Sequence, residues 1–449
     1  MLALAGCSGS ADDTANVDDA ATASETPTST TDAGDDATPQ LDADRDAIVT
    51  TDSAADSAVP PAARCAPLPD PPAGAVAVST TAALRDAIGK AAEGTTILLE
   101  DGTYDVASSI QVSGKRGLTI RGRPGHRDSV ILKGTGARVG CPDNRVGFWL
   151  DASPNVTISE MTITDMQCHA IQVQGTGVTN LRVHRVTMLD AGQQVFKVNA
   201  RISAYSDDGT VECSTVGYTA TVLPAGNTYS QGIDVHSGAR WKIRDNVVKN
   251  IRSTLSSGMV VAGSISLWNG SFDSIVERNV VIDCWQGIQL GGNSTASSPD
   301  TTRTGGFQHA GGIVRNNLIV RARDFGIQLA RSKGARVFHN TVWTPGYSNS
   351  IETRAQGDVM GALHWIGNNL VSGVVGLRDG DSAANVTTAN NLTAPGAWFV
   401  NATGGDFHLA AGAGAIDKAL PLAATELSDD LEGKPRPGSS ANDVGAHER

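Results

Sequence analysis

The chain has 449 residues and a formal net charge of −12, with 40% hydrophobic residues, 50 glycines and six cysteines. Residues 1–60 hold thirteen acids and one base, which accounts for the whole imbalance and leaves 34 acids and 34 bases in the remainder. That neutral remainder offers no field for nucleic acid or an anionic membrane surface, and no run of about 18 apolar residues is present to span a bilayer.

In chain order, the first seven residues read MLALAGC, and Leu4-Ala5-Gly6-Cys7 resembles the lipobox at which bacterial signal peptidase cuts and lipid is attached. The charged n-region and most of the apolar h-region are missing, so residues 1–7 are expected to be a truncated lipoprotein signal with Cys7 as the lipid attachment point. Residues 8–65 are mainly Ser, Thr, Ala and Asp with almost no large apolar side chain. Such a stretch cannot bury a core, and a disordered acidic tether is expected there. The implied location is the bacterial cell envelope, at the outer membrane or its periplasmic face, or the exterior. The membrane is engaged through the anchor only.

Residues 66–449 are expected to form one folded domain. Leu84, Ala87, Ile88 and Ala91 recur at helical spacing and predict a short capping helix over about Thr81–Ala92, followed by the strand TTILLEDGTY. From Phe148 a four-residue phrase returns: FWLD, IQVQ, FKVN, IDVH, ISLW, IQLG, IQLA and IETR, the last at 351–354. A second phrase follows most of the later ones, as in WKIRDNVV at 241–248 and SIVERNVV at 274–281. Two short strands per period with Gly and Asn turns and no amphipathic helix describe stacked rungs. The expected fold is all-β, a single-stranded right-handed parallel β-helix (β-solenoid) with a short N-terminal capping helix, acting as a monomer.

Asn246, Asn279, Asn317, Asn340, Asn369 and Asn391 occupy corresponding turns and predict an asparagine ladder, each in a left-handed conformation and bonded to the next rung. After Cys7, five cysteines remain: Cys65, Cys141, Cys168, Cys213 and Cys284. An odd number leaves at least one unpaired. Cys168 and Cys284, each just ahead of a strand, are expected to be small core hydrophobes.

Two segments carry a resemblance. The opening near residue 73, AGAVAVSTTAALRDAIGKAAEGTTILLEDGTYDV, and the closing DDLEGKPRPGSSANDVGAHE at 429–448 are similar to the cap and terminal signature of the pectate lyase-like right-handed parallel β-helix superfamily, including chondroitinase- and alginate-lyase-like members of polysaccharide lyase family six. The resemblance implies a polysaccharide-acting protein, a Lys base with an Arg nearby, and Ca2+ held by clustered acids, for which Asp207, Asp208 and Glu212 are the nearest match. Nothing in the residues themselves demands a cofactor.

Strand alternation turns residues one and three of each phrase inward and sets the others in an outer lane. Position two of the lane reads Trp149, Gln172, Lys197, Asp234, Ser266, Gln289, Gln328 and Glu352, and position four includes His236, Trp268 and Arg354, with Asn269 and Arg331 just beyond. Long amides, guanidinium groups, an imidazole and an outward indole suit an acidic polysaccharide. Asp234, Trp268, Asn269, Gln289, Gln328, Arg331 and Glu352 are the expected substrate contacts. β-Elimination needs a base and a group to neutralise the uronate carboxylate, for which Lys197, His236 and Arg354 are the expected catalytic set. Insertions carrying Tyr218, Arg303 and His309 are expected to wall the cleft. The leading reading is a lipid-anchored polysaccharide lyase; a non-catalytic carbohydrate-binding protein, a uronan epimerase and a glycoside hydrolase are the alternatives. Asp234 and Glu352, four rungs apart and so about 19 Å from each other, are too distant to be the carboxylate pair of a hydrolase.

Overall fold

The computed structural model describes residues 64–137, 141, 145–174, 177–199, 203–219, 230–251, 263–292, 299–346, 349–355, 363–436 and 442–449. The expected lipid site Cys7 and nearly all of the expected tether lie outside the described residues.

The helix forms where the apolar spacing places it. Helix α1 (Thr81–Lys90) begins at Thr80, whose hydroxyl accepts the Ala83 N–H at 3.1 Å, and it buries Leu84 and Ile88. It packs on the strands Val76–Val78, Thr96–Leu99 and Ile110–Ser113, covering the first rung with an apolar lid. Among the described residues no helix is long and apolar enough to cross a membrane.

The repeated phrases form one ten-stranded parallel sheet: β1 (Ile110–Ser113), β2 (Phe148–Asp151), β3 (Ile171–Val173), β4 (Phe196–Val198), β5 (Ile233–His236), β6 (Ile265–Trp268), β7 (Ile288–Gly291), β8 (Ile327–Ala330), β9 (Asn349–Arg354) and β10 (Val374–Arg378). Each pairs with the next phrase in sequence, one rung on. The register stacks Trp149, Gln172, Lys197, Asp234, Ser266, Gln289, Gln328 and Glu352 in a single row. Phe196, Val198, Ile233, Val235, Ile265 and Leu267 face the opposite way and are fully buried in the core that runs the length of the stack.

A 21-stranded parallel sheet supplies the other walls. Its corner is legible in the two eight-residue strands Thr157–Thr164 and Arg182–Leu189, which hold Glu160 and Arg185 at φ 53 and 55, so that each strand bends and serves two walls. Later rungs split at the same corner, where Asp245, Arg278, Asn316, His339, Asn368 and Asn390 take φ of 51 to 56.

These residues correct one expectation. The left-handed residue is the one before each ladder asparagine, not the asparagine itself. The ladder stands: Asn246 Nδ2 donates to Asn279 Oδ1 at 2.9 Å, and the pattern continues through Asn317, Asn340, Asn369 and Asn391 at 2.8 to 3.0 Å. Each side chain also bonds backbone, as when Asn317 Nδ2 reaches Val276 O at 2.9 Å.

Cysteine pairing corrects another. Cys168 is bonded to Cys141 rather than standing as a free core residue, and Cys65 is bonded to Cys213. Among the described residues Cys284, which is buried, is the one cysteine outside a disulfide.

Arg64 and Cys65, assigned above to the tether, are fastened to the helix. From Arg64 to Pro69 the chain runs lengthwise: Arg64 pairs with Asp245, Cys65 O accepts from Arg185, Ala66 O lies 3.0 Å from His184 Nε2, and Leu68 and Pro69 carbonyls accept from Arg121. A second lengthwise segment comes from the other end, where Glu426 pairs with Arg336, Asp429 O accepts from Asn316, and the Asp429 carboxylate meets Arg278 at 3.6 Å and Arg64 at 3.2 Å. The two straps therefore join at Arg64 and Asp429.

Candidate functional site

Three adjacent strands build the centre of the lane. β4 presents Lys197, β5 presents Asp234 and His236, and β6 presents Trp268, because strict alternation turns Val198, Ile233, Val235 and Leu267 inward. Lys197 Nζ donates to Asp234 Oδ2 at 2.6 Å and lies 2.9 Å from His236 Nε2. His236 Nε2 is 3.2 Å from the same carboxylate oxygen. Asp234 Oδ1 accepts the Trp268 indole N–H at 2.7 Å. Asn269 Nδ2 sits 3.1 Å from His236 Nδ1, and the Asn269 backbone N–H donates to Gln308 Oε1 at 3.0 Å.

The lane is less open than alternation alone suggests. Lys197 and His236 each keep 7% of their surface and Asp234 keeps none, so these groups work in low dielectric where charges count for more. Burial alone would raise the Asp234 carboxyl; the His236 and Lys197 charges and their hydrogen bonds outweigh it and hold it well below the usual carboxylate range. Trp268 is not an outward platform. Its N–H is spent on Asp234 and its ring packs on Gly292, where an added Cβ would fall 2.5 Å from Cε3.

Other expected residues are placed elsewhere. Gln289 Nε2 donates to Gln328 Oε1 at 2.7 Å, and Gln328 Nε2 donates to Glu352 Oε1 at 2.6 Å, so these three spend polar atoms on one another. Arg354 pairs with Asp379 at 2.6 Å, and it stands five rungs from Lys197, about 24 Å along the stack. It cannot share one sugar ring with Lys197, which removes it from the catalytic set. Arg331 follows β8 in a left-handed turn, three rungs beyond His236. Tyr218 and His309 are buried, with the Tyr218 hydroxyl bonded to the Ala191 and Gln193 carbonyls, so neither walls a cleft.

The implied calcium ligands do not fit that role. Asp207 is held by Arg303 at 2.7 Å, Asp208 by Arg240 at 2.6 Å, and Glu212 by Arg182 and Arg244 at 2.7 Å each. Burial opposes ionisation of Glu212, yet hydrogen bonds from His184 and Arg182 and the Arg244 charge hold its carboxyl well below the usual range. Guanidinium groups already supply the positive charge that a cation would bring to these carboxylates.

Residues 147–392, more than half of the sequence, match the family model described as the right handed beta helix region. The chain belongs to this family. Its fold is a right-handed parallel β-helix. Solved structures similar to it include pectate lyase Pel9A, at 13% identity and a TM-score of 0.44 over 81% of this chain and 90% of that one. Another is the A-module of the mannuronan C-5 epimerase AlgE6 of Azotobacter vinelandii, at 13% and 0.47 over 74% and 94%. The Dettilon tailspike protein gp208 is similar at 16% and 0.44 over 69% and 64%. These likenesses concern fold alone. No curated protein matches the sequence.

Three further groups lie beside this β-helix's lane, of which Arg303 was expected on a wall of the cleft and the other two were not singled out. Arg303, in the short helix Pro299–Thr304, donates to Ser237 O at 2.9 Å, directly after His236, and stacks on Tyr205. His169, two residues ahead of β3, lies within electrostatic reach of Lys197 and Asp234, and burial pushes it down to about 4, so it stays neutral. Gln231, two residues ahead of β5, is fully buried with neither amide atom bonded among the described residues. The shared offset ahead of each strand is a signal that could have found the last two.

Proposed function

We propose that this β-helix binds an acidic polysaccharide along the face of β3 to β6 and cleaves it by β-elimination, with Lys197 and His236 acting as one basic pair. One observation carries the reading: two basic nitrogens 2.9 Å apart share a single carboxylate, Asp234. A hydrogen bond between them requires one N–H and one lone pair, so one nitrogen of the pair would serve as the base and the other as the donor. The donating member would face the uronate carboxylate, and Asn269 beside His236 would add a hydrogen-bond donor.

In the step itself the unprotonated nitrogen takes the proton on the carbon next to the carboxylate. The electrons of that C–H bond form a carbon–carbon double bond, and the adjacent C–O bond breaks with its electron pair on the departing sugar oxygen. That oxygen then receives a proton from the pair or from water. A general base in this position contributes roughly 10²–10⁴-fold.

The binding-only reading has its own support in the pairing of Lys197 with Asp234 and of the Gln289–Gln328–Glu352 ladder, which leaves fewer groups free for chemistry. Incubation of the full chain with alginate, pectin, chondroitin, heparin and ulvan separates the readings. Ultraviolet absorbance from unsaturated uronates supports elimination. New reducing ends without that absorbance favour hydrolysis, inverted uronate stereochemistry without cleavage favours epimerisation, and binding without any product leaves a carbohydrate-binding protein.

A further inference from the structure

At the far end of the molecule, away from the lane, the closing segment folds back on the hairpin Phe399–Asn401 and Asp406–Leu409. The residues that close it are accounted for. Asp430 accepts the backbone N–H groups of Glu432, Lys434 and Glu448, and Arg436 bonds Glu448 Oε2 and the Asp443 and Gly445 carbonyls. None of these contacts uses the side chains of His408, Glu432 or His447, which the same closure gathers from three separate stretches of chain.

One ligand atom from each of those three lies within 4.8 Å of the other two. His408 Nε2 is 3.0 Å from Glu432 Oε1, and its other nitrogen, Nδ1, is 2.7 Å from Asp406 Oδ1. A carboxylate on the far nitrogen is the usual outer support of a metal-binding imidazole, because it fixes the tautomer and aims the lone pair. His447 is 4% exposed, its ring centroid is 4.6 Å from that of His408, and its Nδ1 has no hydrogen-bond partner among the described residues.

We infer that His408, Glu432 and His447 form a binding site for a first-row divalent transition cation of the Zn2+ class. Two imidazoles and one carboxylate at bond lengths near 2.0–2.2 Å place donor atoms about 3.3 Å apart on a tetrahedron, leaving one position for water. His408 and Glu432 retain 40% and 38% side-chain exposure, which gives both the freedom to open from 3.0 Å to that spacing and leaves an entry path. The donor set excludes the alkaline-earth ions, which take six or more oxygens. A bound ion would cross-link the hairpin, the 429–436 segment and the terminal 442–449 segment. Without an ion the same geometry is only an imidazolium lying between two carboxylates.

The test uses the full chain, stripped with a chelator and titrated calorimetrically with Zn2+, and in parallel with Co2+ while visible absorption is followed. Expected are one equivalent of tight binding, d–d bands of four- or five-coordinate Co2+, a higher melting temperature with Zn2+, and no response to Ca2+. Glu432→Gln should weaken binding at least a hundredfold and Asp406→Ala by roughly 10–100-fold, whereas His126→Ala, on the opposite end, should change nothing. His447→Gln should also abolish binding; if it fails to fold, Glu432→Gln at its half-exposed position and the Co2+ spectrum of the parent decide. Absence of stoichiometric Zn2+, or binding unchanged by Glu432→Gln, would overturn the site and leave the ion-paired imidazolium.

Discussion

Lys197 Nζ and His236 Nε2 face each other at 2.9 Å on neighbouring rungs although both are bases. They are held so by Asp234, whose carboxylate touches both. If the pair is the base of an elimination, Lys197→Met and His236→Gln should each lower turnover, one of them by roughly 10²–10⁴-fold. Arg354→Lys, about 24 Å away along the stack, should leave turnover intact. Steady-state rates on the polymer that responds settle this; equal activity in all three variants would remove the pair from the chemistry.

Trp268→Phe keeps a ring over Gly292 but strips the indole N–H from Asp234 Oδ1. A buried acceptor left without its donor costs about 1–3 kcal/mol. A lowered midpoint in denaturant with an unchanged slope is expected. An unaltered midpoint would mean that the indole bond contributes nothing.

The ladder and the turn before it make separable predictions. Asn317→Val removes donors and an acceptor that serve Val276 O, Asn340 Oδ1 and the Asn279 backbone N–H, and should destabilise by several times the roughly 1 kcal/mol of one such bond. His339→Val adds about 1–3 kcal/mol of strain at φ 51 to the loss of the ring's 3.2 Å contact with Asn368 Nδ2. Pairing each with a Gly variant tells them apart, since glycine relieves strain at 339 but cannot restore bonds at 317.

Acid should unfold the helix before its carboxylates titrate. Burial pushes His169 to about 4, His309 to about 3 and His364 to about 4, while the unfolded chain takes up each proton near pH 6.5. Between about pH 4 and 6.5 the unfolded state therefore binds more protons, so stability rises with pH and is lost as pH falls through that window. Three such groups give a slope of roughly 4 kcal/mol per pH unit at most. Flat melting temperatures from pH 7 to 5 would show that these rings are already charged in the folded state.

Reduction should be costly in one place above all. Cys65 and Cys213 close a loop of 148 residues, for which the chain-entropy model gives about 5 kcal/mol as an upper figure. Cys213→Ser should lower the melting temperature well beyond the effect of Cys284→Ser, and peptide mapping under non-reducing conditions should recover the 65–213 link.

Side-chain alternation has period two and the rungs stack in register, so IDVH and ISLW sufficed to put Asp234 beside Ser266 and His236 beside Trp268. Burial of the lane was not legible. Whether Gln289 reaches a sugar or Gln328 depends on the neighbouring rung's rotamer, which no linear pattern carries. The ladder misled for a related reason: asparagine suits both a left-handed turn and an internal amide bond, and in Asn316-Asn317 and Asn368-Asn369 the two tasks fall on adjacent identical residues. The partners of Cys65 and Cys141 follow from where the straps and turns travel, which spacing does not reveal.

The meeting of Arg64 with Asp429 changes how such a stack should come apart. A solenoid whose rungs lean only on their neighbours frays from its ends, each terminal repeat peeling off at its own small cost. Here the first described residues and the closing segment reach inward from opposite ends to clasp each other over the middle rungs, so neither end can peel without opening the clasp. Loss of structure should therefore be gated at the centre: amides in the outermost rungs should exchange with solvent nearly as slowly as those in the middle, and Asp429→Ala should turn one sharp melt into a broad one.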